Sequence, residues 1–181
     1  MNRFLKAILV LLSTCIFTLT SLYSAKAAPT REFLVIYTGN LLGELKPCGC
    51  AKEEDQGGIE RRMQYLRDIR KENHNILLVD TGDHFKEPTR QGKLKAETLL
   101  RATEKMDYDA VALGERDLLY GSQFLKDHSI PFVSGNIELE NLELKKSRIK
   151  KFQNGLKVAV ISIVDPKLFY LKNHSGLTIP D

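Results

Sequence analysis

NILLVDTGDHF, residues 75–85, is the stretch that decides the fold. Ile76 to Val79 are aliphatic without a break, so the strand they predict has both faces buried, as strands of a parallel sheet do. Asp80 ends the apolar run, and Thr81, Gly82 and Asp83 then form a polar turn. Loops at such strand ends are where α/β folds place their chemistry. Runs of the same form occupy residues 33–37, 110–113 and 132–134, each meeting Gly, Asp or Asn at its end.

Working outward, the segments between these runs are helical. Ile59, Met63, Leu66 and Ile69 recur at steps of four and three, with Arg62, Arg67, Asp68 and Arg70 off that stripe. This is one amphipathic helix opened by Gly57-Gly58. Residues 94–106 predict a second helix and residues 118–126 a third, so strand–helix crossovers stack the four strands into one sheet. Past Asn136 the pattern changes. Residues 148–153 and 156–163 read as strands flanking Asn154-Gly155, a pair that favours a type I′ turn, and predict an antiparallel hairpin. The chain shows no repeats and no low-complexity segment.

The N-terminus carries a different signal. Arg3 and Lys6 precede an apolar run over residues 7–22 and the small residues Ala25-Lys26-Ala27. This reads as a secretory signal over residues 1–27, leaving 28–181 as one domain in a periplasmic or secreted compartment, with no membrane attachment after cleavage. Two other uses compete: a retained anchor, for which the run is short, and a lipid-bearing Cys15, which sits mid-run. Loss of Arg3, Lys6 and Lys26 leaves 24 basic against 23 acidic side chains. That balance, mixed in sign along the helices, does not point to a nucleic-acid partner. Lys145, Lys146, Arg148, Lys150 and Lys151 form one basic cluster, which reads as solvated strand and loop residues with a phosphate patch as the alternative.

In chain order, TGNLLGEL, GGIERRMQYLRDIR, NILLVDTGDHF, YDAVALGERD, PFVSGNI and GLTIPD resemble the N-terminal half of a calcineurin-like metallophosphoesterase of the secreted 5′-nucleotidase type. The resemblance implies an α/β fold, the N-terminal portion of an α/β/β/α sandwich ending in the β-hairpin. It also implies phosphoric ester hydrolysis of a phosphate ester or nucleotide. The family's strand ends carry Asp-x-His, Gly-Asp and Gly-Asn-His-Glu, which with later histidines hold two divalent metals. A bridging carboxylate and flanking N and O ligands suit that task, because the ions must lower the pKa of bound water and neutralise phosphoryl oxygens.

This chain departs from the pattern. Asn40 stands for the first Asp and Leu42 for the His, while Asp83 keeps the bridging carboxylate. In GERD, Glu115, Arg116 and Asp117 stand for Asn, His and Glu. Asp83, Asn40 and Glu115 are therefore the candidate metal ligands, for Mg²⁺, Mn²⁺, Ca²⁺ or Zn²⁺. Arg116 is the candidate phosphate clamp. Plainer uses stand beside these: Asp83 as the cap of its own turn, His84 as a loop residue, and Arg116 as a surface partner of Asp117 or Glu115. Asp181 falls before the region of the family's remaining histidines, so a sheet ended there leaves an open edge, expected either from a truncated reading frame or for an assembly partner.

KPCGC, residues 46–50, is not required by the family's metal pattern. The segment CGCAKEEDQGGIERR resembles a bacterial subgroup with a Cys-Gly-Cys or selenocysteine element at this loop. Cys48 and Cys50 are candidate redox catalytic residues, because a disulfide across one Gly closes a very small strained ring suited to exchange. A Zn²⁺ or copper half-site with His84 and an inert thiol pair are the alternatives. Three functions thus remain open: a nucleotidase-like protein with weak or no hydrolysis, a thiol redox or metal-binding protein, and a non-catalytic assembly module.

Overall fold

Four parallel strands form the central sheet in the order β1-β2-β3-β4, with β1 at Leu34–Thr38, β2 at Ile76–Asp80, β3 at Ala110–Ala112 and β4 at Phe132–Val133. This is the computed structural model of the chain, which describes residue 12 and residues 31–47, 49, 57–167, 169 and 176–180. The chain divides into units 1–31 and 32–181, and the strands just named all lie in the second. Cys48, Cys50 and all of the signal segment except Leu12 fall outside the described residues. No helix among the described residues is long and apolar enough to cross a membrane.

Each pair of neighbouring strands is joined through a helical connection, as parallel neighbours require. Helix α1, Ile59–Glu72, joins β1 to β2 and buries Leu66, in keeping with the stripe in the sequence. Helix α2, Arg90–Met106, joins β2 to β3 and buries Ala96, Leu99, Leu100, Thr103 and Met106. It begins four residues earlier than its apolar pattern, because the Thr89 hydroxyl accepts the Gly92 N–H at 2.9 Å and caps a polar first turn. The third predicted helix is two pieces: a 3₁₀ turn at Glu115–Leu118 and a short helix α3 at Ser122–Lys126, separated at Gly121, where φ is 79°. Leu78, Leu100 and Val111 pack with Phe85, Leu113 and Leu118 in the core.

The sheet's other face is only partly covered by the described residues. Edge strand β1 leaves Val35 and Tyr37 exposed, Tyr37 at 75%. After β4 come β5 at Glu138–Leu139, then the antiparallel pair β6 at Arg148–Lys151 and β7 at Lys157–Val160, then β8 at Leu177–Thr178. The hairpin is where the sequence places it, but shorter. Its turn is not type I′: Gly155 alone of the central pair has positive φ, at 82°, and its N–H donates to the Phe152 carbonyl at 3.0 Å. Nor does the fold end on the hairpin, since β8 returns to pair with β5. Two-residue strands are too short to leave a periodic signal.

Candidate functional site

The loops after β1, β2 and β3 meet at the carboxyl end of the sheet. Gly82, at φ 88°, brings the β2 loop against the β3 loop so closely that a Cβ there would lie 2.4 Å from the Gly114 amide nitrogen. The β1 loop joins them through backbone hydrogen bonds, Asn40 N–H to Gly82 O at 2.7 Å, Leu42 N–H to Asp83 O at 3.1 Å and Gly43 N–H to His84 O at 2.7 Å. Asn40, Leu42 and Asp83 all adopt left-handed φ, at 53°, 47° and 60°. For Leu42 this conformation costs roughly 1–2 kcal/mol, so surrounding contacts hold it there.

Asp117 is the centre of this arrangement. Its fully buried carboxylate accepts four hydrogen bonds: Oδ1 from the His84 amide and Nδ1, both at 2.8 Å, and Oδ2 from the Asp83 amide at 2.8 Å and the Gly114 amide at 2.9 Å. In return the Asp83 Oδ1 accepts the Arg116 amide at 2.9 Å. The His84 Nε2 faces Asp80 Oδ1 at 3.4 Å, an ion-pair distance too long and misaligned for a good hydrogen bond. With a carboxylate at each ring nitrogen, both nitrogens carry protons and His84 is an imidazolium. Burial pulls its pKa down, but the Asp117 and Asp80 charges overcome that and raise it to about 9. Asp117 is pushed up by burial, and the His84 charge with its hydrogen bonds more than reverses this, holding the carboxyl below its ordinary value.

Asp80 extends the network across the sheet. Its Oδ1 accepts the Gly82 amide at 2.7 Å, and its Oδ2 accepts a short hydrogen bond from the Thr38 hydroxyl. The Tyr108 hydroxyl in turn lies 2.7 Å from the Thr38 oxygen. The turn cap that the sequence assigned to Asp83 is therefore made by Asp80. His84 is no ordinary loop residue, being 1% exposed, and it is not free to join a thiol metal site. Arg116 pairs with neither Asp117 nor Glu115: its guanidinium Nη1 donates to the Lys86 carbonyl at 2.8 Å.

Asp83 and Glu115 do come together, as lining of an open groove of about 580 Å³ over the uncovered sheet face. Asp80, Asp165, Thr81 and Ser162 complete its polar lining, and among the described residues no basic side chain belongs to it. Asp83 is half-buried; burial raises its carboxyl pKa, opposed by the Arg116 amide and reinforced by Asp117. Asn40 is tied to Gly82 through its backbone and is not among the groove's lining residues.

This donor set does not fit a pair of divalent cations. Among the described residues no three His, Cys, Asp or Glu side chains converge so as to hold an ion. Asp80 and Asp117 already accept protein donors at each oxygen, Asp83 accepts one, and Leu42 offers only hydrocarbon. Sequence reasoning overlooked Asp80, Asp165, Thr38 and Tyr108, and gave His84 no role in holding the strand ends. The one usable signal was Asp117, an acid standing where the motif has Glu.

No family model matches the chain. A snake venom 5′-nucleotidase from Naja atra is 28% identical over 116 residues, covering 59% of this chain and 22% of the relative. The chain spans about a fifth of the length of such curated relatives. Among solved structures, the 5′-nucleotidase precursor from Thermus thermophilus superposes with a TM-score of 0.70 at 19% identity, over 82% of this chain and 32% of that one. A calcineurin-like phosphoesterase from Bacillus subtilis gives 0.54 at 22% identity, over 82% and 54%. Partial homology in sequence and a shared parallel-sheet fold together make this chain similar to the N-terminal domain of 5′-nucleotidases.

Proposed function

We propose that this phosphoesterase-type domain is exported and has little or no metal-dependent hydrolytic activity at its strand ends. The observation that carries the reading is the use of the carboxylates there. Asp117 and Asp80 are saturated by His84, Thr38 and backbone N–H groups, so they lock the loops together and do not present oxygen ligands. What still faces the groove is acidic: Asp83, Glu115 and Asp165, without a cation among them. A phosphate ester dianion entering it meets like charges, each repelling each of its unit charges by roughly 1–4 kcal/mol at 4 Å depending on how much water remains.

Assays with a nucleoside monophosphate and a chromogenic phosphate ester, each with Mg²⁺, Mn²⁺, Ca²⁺ or Zn²⁺ added, are expected to give rates at the buffer background. Asp83→Ala is expected to leave those rates unchanged. Metal-dependent turnover that Asp83→Ala abolishes would sink the reading.

A second reading, thiol redox chemistry at Cys48 and Cys50, rests on their Cys-Gly-Cys spacing, since a disulfide across one Gly closes a small strained ring suited to exchange. The Ile59 amide donates to the Leu45 carbonyl at 3.0 Å, and a Cβ on Gly58 would lie 2.8 Å from the Pro47 ring. The two ends of the Cys-Gly-Cys loop are thus pinned beside one another, a few residues from the β1–β2 loop contacts. Export and a Cys48–Cys50 disulfide together predict that thiol titration of the exported protein finds no free thiol from this pair before mild reductant and two after it. Free thiols throughout, with one lost in Cys48→Ser, exclude it.

A further inference from the structure

A second groove, of about 510 Å³, lies at the amino end of β3, between that strand and the hairpin. Its lining includes Tyr108, Asp109, Lys145, Ser147, Arg148 and Lys150. Alternation along β6 sends Arg148 and Lys150 to the same, half-buried side, while Ile149 and Lys151 face out. The basic cluster is therefore not simply solvated. Lys150 Nζ pairs with Asp109 Oδ1, and the other Asp109 oxygen accepts the Leu78 amide at 2.9 Å. Each oxygen of that carboxylate thus already has one protein donor.

Lys145 and Arg148 have no ion-pair partner among the described residues. The Arg148 Nε is shielded from solvent and has no hydrogen-bond acceptor. Buried guanidinium N–H groups are costly when left unpaired. Three cations against one carboxylate leave this groove with an excess of positive charge, the reverse of the strand-end groove.

We infer that the groove formed by Lys145, Ser147, Arg148 and Lys150 is a binding site for a phosphate oxyanion, either inorganic phosphate or the phosphate of a monoester. A tetrahedral oxyanion in the groove supplies the counter-charge that Lys145 and Arg148 lack, and the guanidinium of Arg148 lines the groove beside it. Lys145 adds charge from the exposed rim, and the Ser147 hydroxyl is a neutral donor beside it. The volume leaves room for an organic group attached to the phosphate. The site needs neither a metal nor hydrolysis, so it stands or falls independently of the reading of the strand ends.

Isotope-edited NMR of the full chain, titrated with inorganic phosphate and separately with adenosine monophosphate at constant ionic strength, tests it. Saturable shifts are expected in the amides of residues 108–109 and 145–150, with half-saturation on the order of a millimolar or below. Arg148→Gln is expected to weaken binding by about tenfold or more, since it removes a charge-assisted hydrogen bond. Lys145→Gln weakens it less and, being at an exposed position, reports even if Arg148→Gln does not fold. Asp83→Ala leaves it unchanged. Tighter binding of the nucleotide assigns the site to a monoester, and equal binding assigns it to the phosphate group alone. Absence of saturable shifts with either probe, shifts confined to residues 80–86 and 113–117, or binding untouched by both cation variants overturns the inference.

Discussion

Asp117→Ala is expected to destabilise the domain by about 3–5 kcal/mol, the cost of stripping one partner from a buried ion pair. The carboxylate is fully buried, and it accepts from the backbone of Asp83, His84 and Gly114 as well as from the His84 ring. Its removal strands three amides and a cation where water does not reach, so each loses its acceptor without regaining a solvent one. In urea the midpoint should fall by about 2 M, taking a slope of roughly 2 kcal/mol/M for a domain of this size. Asp117→Asn, which keeps one carbonyl oxygen, should fall less. His84→Leu combined with Asp117→Leu should cost less than the sum of the two single changes, because each single change leaves the other partner unpaired. A loss below about 1 kcal/mol for Asp117→Ala would mean that the Gly82–Gly114 contact alone holds the loops, since surface-like changes stay in that range.

Stability should also fall with rising pH, by about 3 kcal/mol between pH 6.5 and 9, as 1.36 kcal/mol per pKa unit gives for His84. The sign follows from the direction of the shift. Folding raises the His84 pKa from 6.5 to about 9, so the folded state binds the proton more tightly than the unfolded chain. The stabilisation is complete below the unfolded value and disappears as pH climbs through the folded one. Asp117 gives the opposite limb: its folded pKa is depressed below 3.8, so its contribution is present above that value and is lost as pH drops through the folded pKa. Urea midpoints measured from pH 4 to 10 should therefore stay level up to about pH 6.5 and decline beyond it. The charged groups facing His84 are Asp117, Asp80 and, as an opposing cation, Arg62. His84→Gln should remove the decline at high pH, and a decline that persists in that variant would assign it to other groups.

The two grooves show how charge divides the chemistry of this domain. At the carboxyl ends of the strands, Asp80, Asp83, Asp117 and the buried His84 build a junction with an acidic opening. At the amino end of β3, the hairpin supplies the cations. Val35 and Tyr37 on β1, and Ile161 and Ile163 after β7, are exposed apolar side chains.

The sequence by itself determined the parallel strands, helix α1 and the hairpin's place. Each rests on a local pattern: unbroken aliphatic runs, a stripe at steps of three and four, and an Asn-Gly pair. It also suggested, through the family resemblance, that Asn40, Leu42 and Glu115 depart from the family's ligand motif. Only the tertiary structure decided what the remaining acids do. His84 and Asp117 lie 33 residues apart, Thr38 and Asp80 lie 42 apart, and Lys150 reaches Asp109 over 41. A carboxylate's role depends on which donors arrive at its oxygens, and those donors come from other strands. Periodicity shows which side of a strand is buried, but the pairing of charges is set by how the strand ends meet.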